Sequence, residues 1–235
     1  AADEGGGGEL RELGAFDAVV VADVMTAKPG TPGSMNLDEA GLSHIAQQMR
    51  SVRTSARFSL MVALPRALHE VPWDGAAVQG SEVFDWVARD SAKPGNARGD
   101  AHECWVAVST AAFAERALQG APLQRAGEYN PQTREVLEPV EAALWEAFAA
   151  LMAPFVAGGL PPPSFLRAQR WGGAFHDAPL GLARRCLVDP ERLFAACGDF
   201  CTKSSAEGAV LSGLAAADEV AGLLSRRGHP LAPAA

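Results

Sequence analysis

The spacing of apolar residues predicts most of the strands in this chain. Residues 16–22 form a short, mostly apolar run rich in valine, which is typical of a strand buried on both faces in a parallel or mixed sheet. From residue 57 to residue 64 apolar residues alternate with other residues, which is the period of a half-buried strand. Other strand-like segments lie at residues 83–90, 104–109, 164–175 and 186–188. The segments at 57–64, 83–90 and 104–109 are predicted to form one antiparallel sheet.

Two amphipathic helices are predicted from apolar stripes and from residues that favour helix ends. The first follows Asn36, which can cap it with Glu39 at the third position, and it should end near residue 51. The second spans about residues 139–153, because a proline suits its first turn and Pro154 ends it. In both segments the apolar residues fall on one face, so both helices should pack against a core.

The C-terminal part of the chain carries the most specific pattern. An apolar run ends at Gly198 and Asp199, and a helix of small residues is predicted to begin around Glu207. A strand that ends in Gly-Asp lets the backbone approach a ligand closely while the carboxylate reaches a hydroxyl group. A helix start without bulky side chains, here Gly208 and Ala209, can present free N–H groups and its positive dipole end to electron-rich atoms. This strand, turn and helix therefore meet the demands of a flavin site.

Each of these residues also has an ordinary structural interpretation. Asp is common at turns, so Gly198 and Asp199 could form a turn and nothing more. A helix of small residues around Gly208 could pack closely on a sheet without touching a ligand, and Glu207 could be a favourable anion in the first helical turn. The local sequence leaves both interpretations open.

Composition and charge argue against several classes of protein. The net charge of −8 disfavours a nucleic-acid-binding surface, which needs clustered positive charge. The four cysteines do not make a disulfide scaffold in a chain of 235 residues and match no zinc pattern, so a reducing compartment is predicted. No signal peptide is recognised, and no apolar run reaches the ~18 residues that cross a bilayer. We therefore expect a soluble protein without nucleic acid or membrane as a partner.

Residue spacing argues against several kinds of catalytic site. His69-Glu70 and His102-Glu103 each lack the second histidine four residues on that a helical zinc site requires, so no metal site is predicted. Neither a P-loop nor a G-x-S-x-G elbow is present, and no catalytic residue is predicted. Gly5 to Gly8 precede the first strand and lack the G-x-G-x-x-G spacing of a dinucleotide-binding loop, so they are predicted to form a flexible linker.

Several stretches occur in an order that forms a family pattern: residues 16–22, 86–95, 103–106, 167–171, 197–200 and 206–213. The last two stretches resemble the closing FAD-contact motif of the flavin amine oxidase superfamily. The others are similar to its renalase-like branch. The resemblance runs from about Phe16 to Leu224 and matches roughly the C-terminal two-thirds of such an enzyme.

The resemblance implies an FAD-dependent oxidoreductase of the amine oxidase or renalase type. Its predicted FAD contacts are Gly198, Asp199, Glu207, Gly208 and Ala209. Arg170 and Trp171 are expected to line the substrate pocket, with burial in the core as an equal alternative for Trp171. Family members transfer a hydride from a small amine or a dihydronicotinamide to the flavin, and molecular oxygen then reoxidises the flavin to give hydrogen peroxide.

The predicted fold is mixed α/β, with an antiparallel substrate-domain sheet, helices, and a remnant of a three-layer, Rossmann-like FAD-binding domain. The remnant comprises residues 15–35 and 186–226, and the substrate domain comprises residues 36–185. A flexible glycine-rich segment at 1–14 and a tail at 227–235 flank them. The strand, glycine-rich loop and helix that open such enzymes are not recognised here. We therefore expect an incomplete chain that needs a separate N-terminal FAD-binding segment and is inactive alone.

The competing interpretation is a noncatalytic binding or assembly module that keeps the substrate-domain fold without FAD. Without the first glycine-rich turn, little would hold the adenosine diphosphate portion of the cofactor. Val19 to Val21 would then lie in a sheet whose neighbouring strands are missing, so exposed apolar surface is expected there.

Overall fold

The computed structural model describes residues 14–29, 33–97, 99–119 and 133–228. Its strands are β1 (Val19–Val21), β2 (Thr54–Leu64), β3 (Gly75–Ala77), β4 (Phe84–Arg89), β5 (Glu103–Ser109), β6 (Phe165–His176), β7 (Leu187–Asp189) and β8 (Phe194–Ala196). Its helices are α1 (Ser43–Ser51), α2 (Ala111–Ala117), α3 (Arg134–Met152) and α4 (Ala206–Arg226), with short 3₁₀ turns at Val24–Ala27, Asp90–Ala92 and Asp199–Cys201. The linker predicted at Gly5 to Gly8 and most of the predicted tail lie outside the described residues.

The chain divides into two units, each with its own core. Unit 1 takes the described parts of residues 1–24, 37–49 and 180–235, and unit 2 those of residues 25–36 and 50–179. Residues 37–49, which the sequence interpretation places in the substrate domain, group with unit 1. Both units combine strands with helices, so the predicted mixed α/β class is confirmed.

Unit 2 is built on a five-stranded antiparallel sheet with the strand order β3-β4-β5-β2-β6. The alternating pattern of β2 places Phe58, Leu60, Val62 and Leu64 on one buried face, as predicted. β5 pairs with β2 on one side and with β4 on the other. The antiparallel sheet predicted from these three segments is therefore confirmed.

Helices α2 and α3 cover the buried face of this sheet, where Phe148 and other apolar residues of α3 join one core. The predicted start of α3 near residue 139 is wrong, because the helix begins at Arg134 and Pro139 lies inside it. Leu137 and Val140 are both buried in the same core. Their packing explains why the helix extends on the N-terminal side of the proline despite the hydrogen bond that proline cannot donate.

Unit 1 contains a small mixed sheet in the order β1-β8-β7. β1 runs parallel to β8, with Val19 opposite Phe194 and Val21 opposite Ala196. In the described part of the chain β1 is an edge strand of this sheet. The prediction that it is buried on both faces is wrong, because Val19 and Val20 point to opposite faces and both are exposed. Val19 is 40% exposed and Val20 is 49% exposed. The exposed apolar surface expected in this strand is confirmed for these two valines.

Helix α1 begins later than predicted. The preceding residues form a turn in which the Leu42 amide donates a hydrogen bond to the Leu37 carbonyl at 2.8 Å. Gly41 adopts a φ of 71°, which favours glycine and keeps this segment out of the helix. The predicted apolar face is confirmed by the buried residues of the helix: Ile45, Ala46 and Met49.

Helix α4 packs in unit 1 through one face, where Ser212 and Ala216 have no exposed surface. On its other face Val210 is 61% exposed and Leu214 is 60% exposed. Among the described helices, α4 is the one long and apolar enough to cross a membrane by length and composition. This finding corrects the expectation that no segment reaches that length, although the helix packs on the sheet of a folded unit.

Candidate functional site

A tight turn follows β8 and leads to α4. Gly198 begins the turn with a φ of 144°, and a Cβ atom added to it would lie 2.8 Å from the ring of Phe200. Both facts require glycine at this position. The buried Ser212 hydroxyl accepts a hydrogen bond from the Gly198 amide at 2.9 Å and donates one to the Arg185 carbonyl. Ser212 therefore holds the turn against α4, a role that its sequence context does not indicate.

Asp199 lies in this turn and is half-buried. Its Oδ2 atom accepts a hydrogen bond from the Ser204 hydroxyl at 3.3 Å, which ties the two ends of the loop between β8 and α4 together. The turn interpretation of Asp199 therefore describes one role of this carboxylate. A contact between Asp199 and a cofactor stays a prediction.

In the first turn of α4, the amides without a hydrogen-bond partner are not the ones that the sequence predicts. The helix begins at Ala206, and Ser205 is its N-cap residue. The Gly208 amide donates to the Ser205 hydroxyl at 3.0 Å, and the Ala209 amide donates to the Ser205 carbonyl at 3.0 Å. The prediction of unpaired N–H groups at Gly208 and Ala209 is therefore wrong. A serine before a small-residue helix is a common N-cap, and this signal could have located the helix start.

The amides that remain available at this helix end belong to Ala206 and Glu207. Within the described residues no acceptor is hydrogen-bonded to either amide. Both residues are exposed, and the first N–H groups of a helix have no partner inside the helix. The positive end of α4 is therefore open to an anion or to an electron-rich ring edge at these two positions.

The small size of Gly208 has a structural cause. Gly208 is buried, and an added Cβ atom would lie well inside 3.0 Å of the Lys203 carbonyl oxygen and 2.8 Å from the Thr202 hydroxyl. The Thr202 hydroxyl donates a hydrogen bond to the Gly208 carbonyl at 3.0 Å. Gly208 thus makes room for its own preceding loop. That its small size also makes room for a flavin ring stays a prediction.

Three cysteines are buried in unit 1: Cys186, Cys197 and Cys201. Burial raises the pKa of the Cys201 thiol from 9.0 to about 12. The Cys201 thiol donates a hydrogen bond to the Ala196 carbonyl at 3.7 Å. Cys201 is therefore a protonated part of the core beneath the turn.

This pKa predicts a loss of stability at alkaline pH. The folded protein keeps the Cys201 proton up to about pH 12, whereas an unfolded thiol loses it near pH 9. The stabilising contribution is therefore fully present below pH 9 and falls as the pH rises from 9 towards 12. Urea unfolding of the wild type and of Cys201→Ala between pH 8 and pH 11 measures the difference. The free energy of unfolding should fall more steeply in the wild type, and parallel pH profiles would contradict this assignment.

Arg170 and Trp171 are neighbours on β6 but point to opposite faces of the sheet in unit 2. Arg170 pairs with Phe58, whose side chain is buried under the helices, and burial lowers the pKa of the Arg170 guanidinium. Trp171 pairs with Arg57 on the open face and is 54% exposed, so burial of Trp171 in the core is wrong. Trp171 lines a cavity of about 410 Å³ and Arg170 does not.

The cavity beside Trp171 is lined by Arg57, Ser59, Val108, Trp171, Gly172, Gly173, Ala174 and Phe175. Its volume is within the range of small-molecule pockets. The sequence interpretation missed Arg57, Ser59 and Phe175, because only the pairing of β2 with β6 brings them together. Among the described residues, no group of three or more His, Cys, Asp or Glu side chains could hold a metal ion.

No protein-family model matches this chain. Its fold is similar to a solved structure described as "Putative protoporphyrinogen oxidase" from Exiguobacterium sp. 255-15, with a TM-score of 0.52 and 11% sequence identity. The similarity covers 89% of this chain and 41% of that one, so the chain spans less than half the length of this structural relative. The likeness supports the mixed α/β fold described above.

Proposed function

We propose that this chain contributes the substrate domain and the C-terminal cofactor-contacting segment of a flavin-dependent oxidoreductase of the amine oxidase type. The observation that carries the proposal is the strand, turn and helix formed by β8, Gly198 and α4. β1 pairs with β8 in parallel, and the turn at Gly198 leads from β8 to α4, whose open amides at Ala206 and Glu207 suit a flavin edge. The fold likeness to a longer oxidase-like structure agrees with this function.

The chain's own residues would hold FAD in three ways. The Asp199 carboxylate can accept a hydrogen bond from a ribityl hydroxyl while it keeps its contact with Ser204. The open amides of Ala206 and Glu207 can stabilise negative charge on the flavin ring edge by roughly 0.3–2 kcal/mol. Gly198 lets the backbone approach the cofactor. When bound, FAD supplies the hydride-accepting ring and its reoxidation by molecular oxygen.

A narrower assignment to the renalase-like branch is part of the proposal. It is supported by the sequence stretches at 86–95 and 167–171 and by the exposed position of Trp171 beside a cavity. The substrate would be a small reduced molecule, either an amine or a dihydronicotinamide-like ring. A separate segment would bind the adenosine diphosphate portion of FAD.

Titration of the chain with riboflavin, FMN and FAD, followed by flavin fluorescence, tests the proposal. We expect saturable, weak quenching with similar affinity for all three, because the contacts described here reach only the ring and the ribityl chain. Asp199→Ala should weaken binding by about tenfold through loss of a charged hydrogen-bond acceptor.

Ser204→Ala is the matched control for Asp199, because it removes the same internal hydrogen bond and keeps the carboxylate. It should leave flavin binding unchanged. Equal losses in the two variants would assign Asp199 to the loop alone. If none of the three flavins binds saturably, the proposed function fails for this chain.

The alternative function, a noncatalytic binding or assembly module, is favoured by one observation. Val19 and Val20 expose apolar side chains on an edge strand, and such edges pair readily with another strand. Failure of flavin binding together with concentration-dependent association in sedimentation velocity would support this second function.

A further inference from the structure

The cavity beside Trp171 lies on the open face of the five-stranded sheet, opposite the helices. Cross-strand partners in the sheet place Arg57 beside Trp171 and Ser59 beside Val108, so these side chains share one face. Trp86 pairs with Val108 from β4 and is 45% exposed on the same face. The cavity on this face is therefore lined by two aromatic side chains, one guanidinium and one hydroxyl.

Two aromatic residues, Trp171 and Phe175, line this cavity. Trp171 pairs with Arg57 and Phe175 pairs with Ser55, so β6 advances four residues where β2 advances two. Glycines allow this irregularity, and they contribute no side chain between the two rings. The indole N–H of Trp171 donates to the Ser59 hydroxyl at 2.9 Å, which holds that ring in place. The Trp171 ring is therefore held in a fixed orientation in which a flat, apolar group can pack against it.

The Arg57 guanidinium is fixed at the wall of the cavity. Its Nη1 atom donates to the Ser55 hydroxyl at 2.7 Å and to the Ala56 carbonyl at 3.0 Å, and its Cζ atom lies 5.2 Å from the centre of the Phe175 ring. Its Nε atom lies 3.5 Å from Asp85 Oδ2, and the Asp85 side chain is 52% exposed. No described residue accepts a hydrogen bond from Nη2. One edge of a rigid cation thus stays available to a ligand.

The charges around the cavity favour an anionic ligand. Arg57 is the one charged side chain among the lining residues, and no acidic residue lines the cavity. The acidic residue that pairs with Arg57 is Asp85, which lies beside Nε and is about half exposed to solvent. A protonated amine would meet the Arg57 cation without an acidic side chain among the lining residues to bind it, whereas an anionic oxygen could accept hydrogen bonds from the guanidinium.

The geometry points to a binding site for a planar ring that carries an anionic oxygen group, with the ring against Trp171 and the anion on Arg57. Treating this site as the substrate pocket rests on the proposed function, whereas ligand binding itself does not. If both hold, the substrate is an acidic or acid-substituted ring compound and not a small amine cation.

The test uses three probes with the same ring and different charge: benzoate, benzamide and benzylamine. Binding to the chain is followed by NMR through the indole N–H signal of Trp171, which is identified by its absence in Trp171→Phe. We expect benzoate to bind about tenfold more tightly than benzylamine, with benzamide between them. Equal affinities, a preference for benzylamine, or no shift of the Trp171 signal would each overturn the proposal.

Two substitutions at Arg57 and one control variant test whether the preference for benzoate depends on the Arg57 guanidinium. Arg57→Gln should remove the preference for benzoate, and Arg57→Lys should keep part of it. Arg167→Gln removes the same charge from the same sheet face outside the cavity lining and should leave the order of affinities unchanged. If Arg57→Gln fails to fold, the wild-type affinity order and the Arg57→Lys variant still decide the result.

The probe titrations contain no flavin, so the two proposals fail separately. Loss of the benzoate preference with intact flavin quenching would overturn only the cavity assignment. Intact benzoate binding without any flavin binding would overturn only the oxidoreductase assignment.

Discussion

Replacement of Glu103 by alanine should destabilise unit 2 by about 3–5 kcal/mol, the cost of removing one partner from a buried ion pair. Glu103 is only 5% exposed, and its Oε1 atom accepts hydrogen bonds from the Trp105 indole at 2.7 Å and the Leu68 amide at 3.1 Å. Its Oε2 atom lies 3.5 Å from Nε of Arg89. Alanine would leave two buried donors without an acceptor and would remove a buried anion beside Arg89.

The position of Arg89 increases this effect. Its guanidinium lies 5.0 Å from the centre of the Trp105 ring and donates to the carbonyls of Leu68 and Val71. Its other acidic partner is Asp74, whose side chain is 70% exposed. Because solvent screens the Asp74 charge, that residue cannot replace the buried carboxylate of Glu103.

Urea unfolding followed by far-UV circular dichroism measures the effect of Glu103→Ala. Glu103→Gln keeps one carbonyl acceptor and should lie between the alanine variant and the wild type. The matched control is Glu70→Ala, which removes an exposed carboxylate that pairs with Arg66 at 3.0 Å and should change stability little. Similar losses for Glu103→Ala and Glu70→Ala would contradict the buried role of Glu103.

Gly208→Ala should destabilise the protein by about 1–3 kcal/mol, because the added methyl group has no space. The new Cβ atom would collide with the Lys203 carbonyl and the Thr202 hydroxyl, and a backbone carbonyl cannot rotate away as a long side chain can. Helix propensity alone would favour alanine over glycine by up to about 1 kcal/mol. The steric cost of the collision therefore has to exceed the gain in helix propensity.

Gly213→Ala in the same helix supplies the control, because an added Cβ at Gly213 meets nothing within 4 Å. This variant should stabilise the protein by up to about 1 kcal/mol. Thermal and urea unfolding of both variants measure whether each substitution lowers or raises the stability of the protein. Stabilisation by Gly208→Ala, with a selective loss of flavin binding, would instead show that the glycine makes room for a ligand.

The sequence predicts the sheet of unit 2 better than it predicts the helix ends. Alternation over residues 57–64 reports burial of one strand face directly, and β2 has that face. The start of α1 depends on the turn closed by Leu37 and Leu42, and the start of α3 depends on the burial of Leu137. Both are tertiary effects that override the local signals of Asn36 and Pro139.

The sequence predicts which segment forms the candidate site, but it does not predict which backbone amides of that segment are free. The order of strand, Gly-Asp turn and small-residue helix is visible in the sequence. The choice of free amides depends on Ser205 as the N-cap, and adjacent serines at 204 and 205 leave that choice ambiguous. The pairing of Arg57 with Trp171 follows from strand register alone, so no local pattern could reveal it.

The hydroxyl of Ser212 mechanically couples three separate segments of unit 1. It connects α4 to the backbone at Gly198 and to the Arg185 carbonyl that precedes β7. A displacement of α4 along its axis would therefore be transmitted to the turn that carries Asp199. The position of the Asp199 carboxylate therefore depends on how the whole of α4 packs in unit 1.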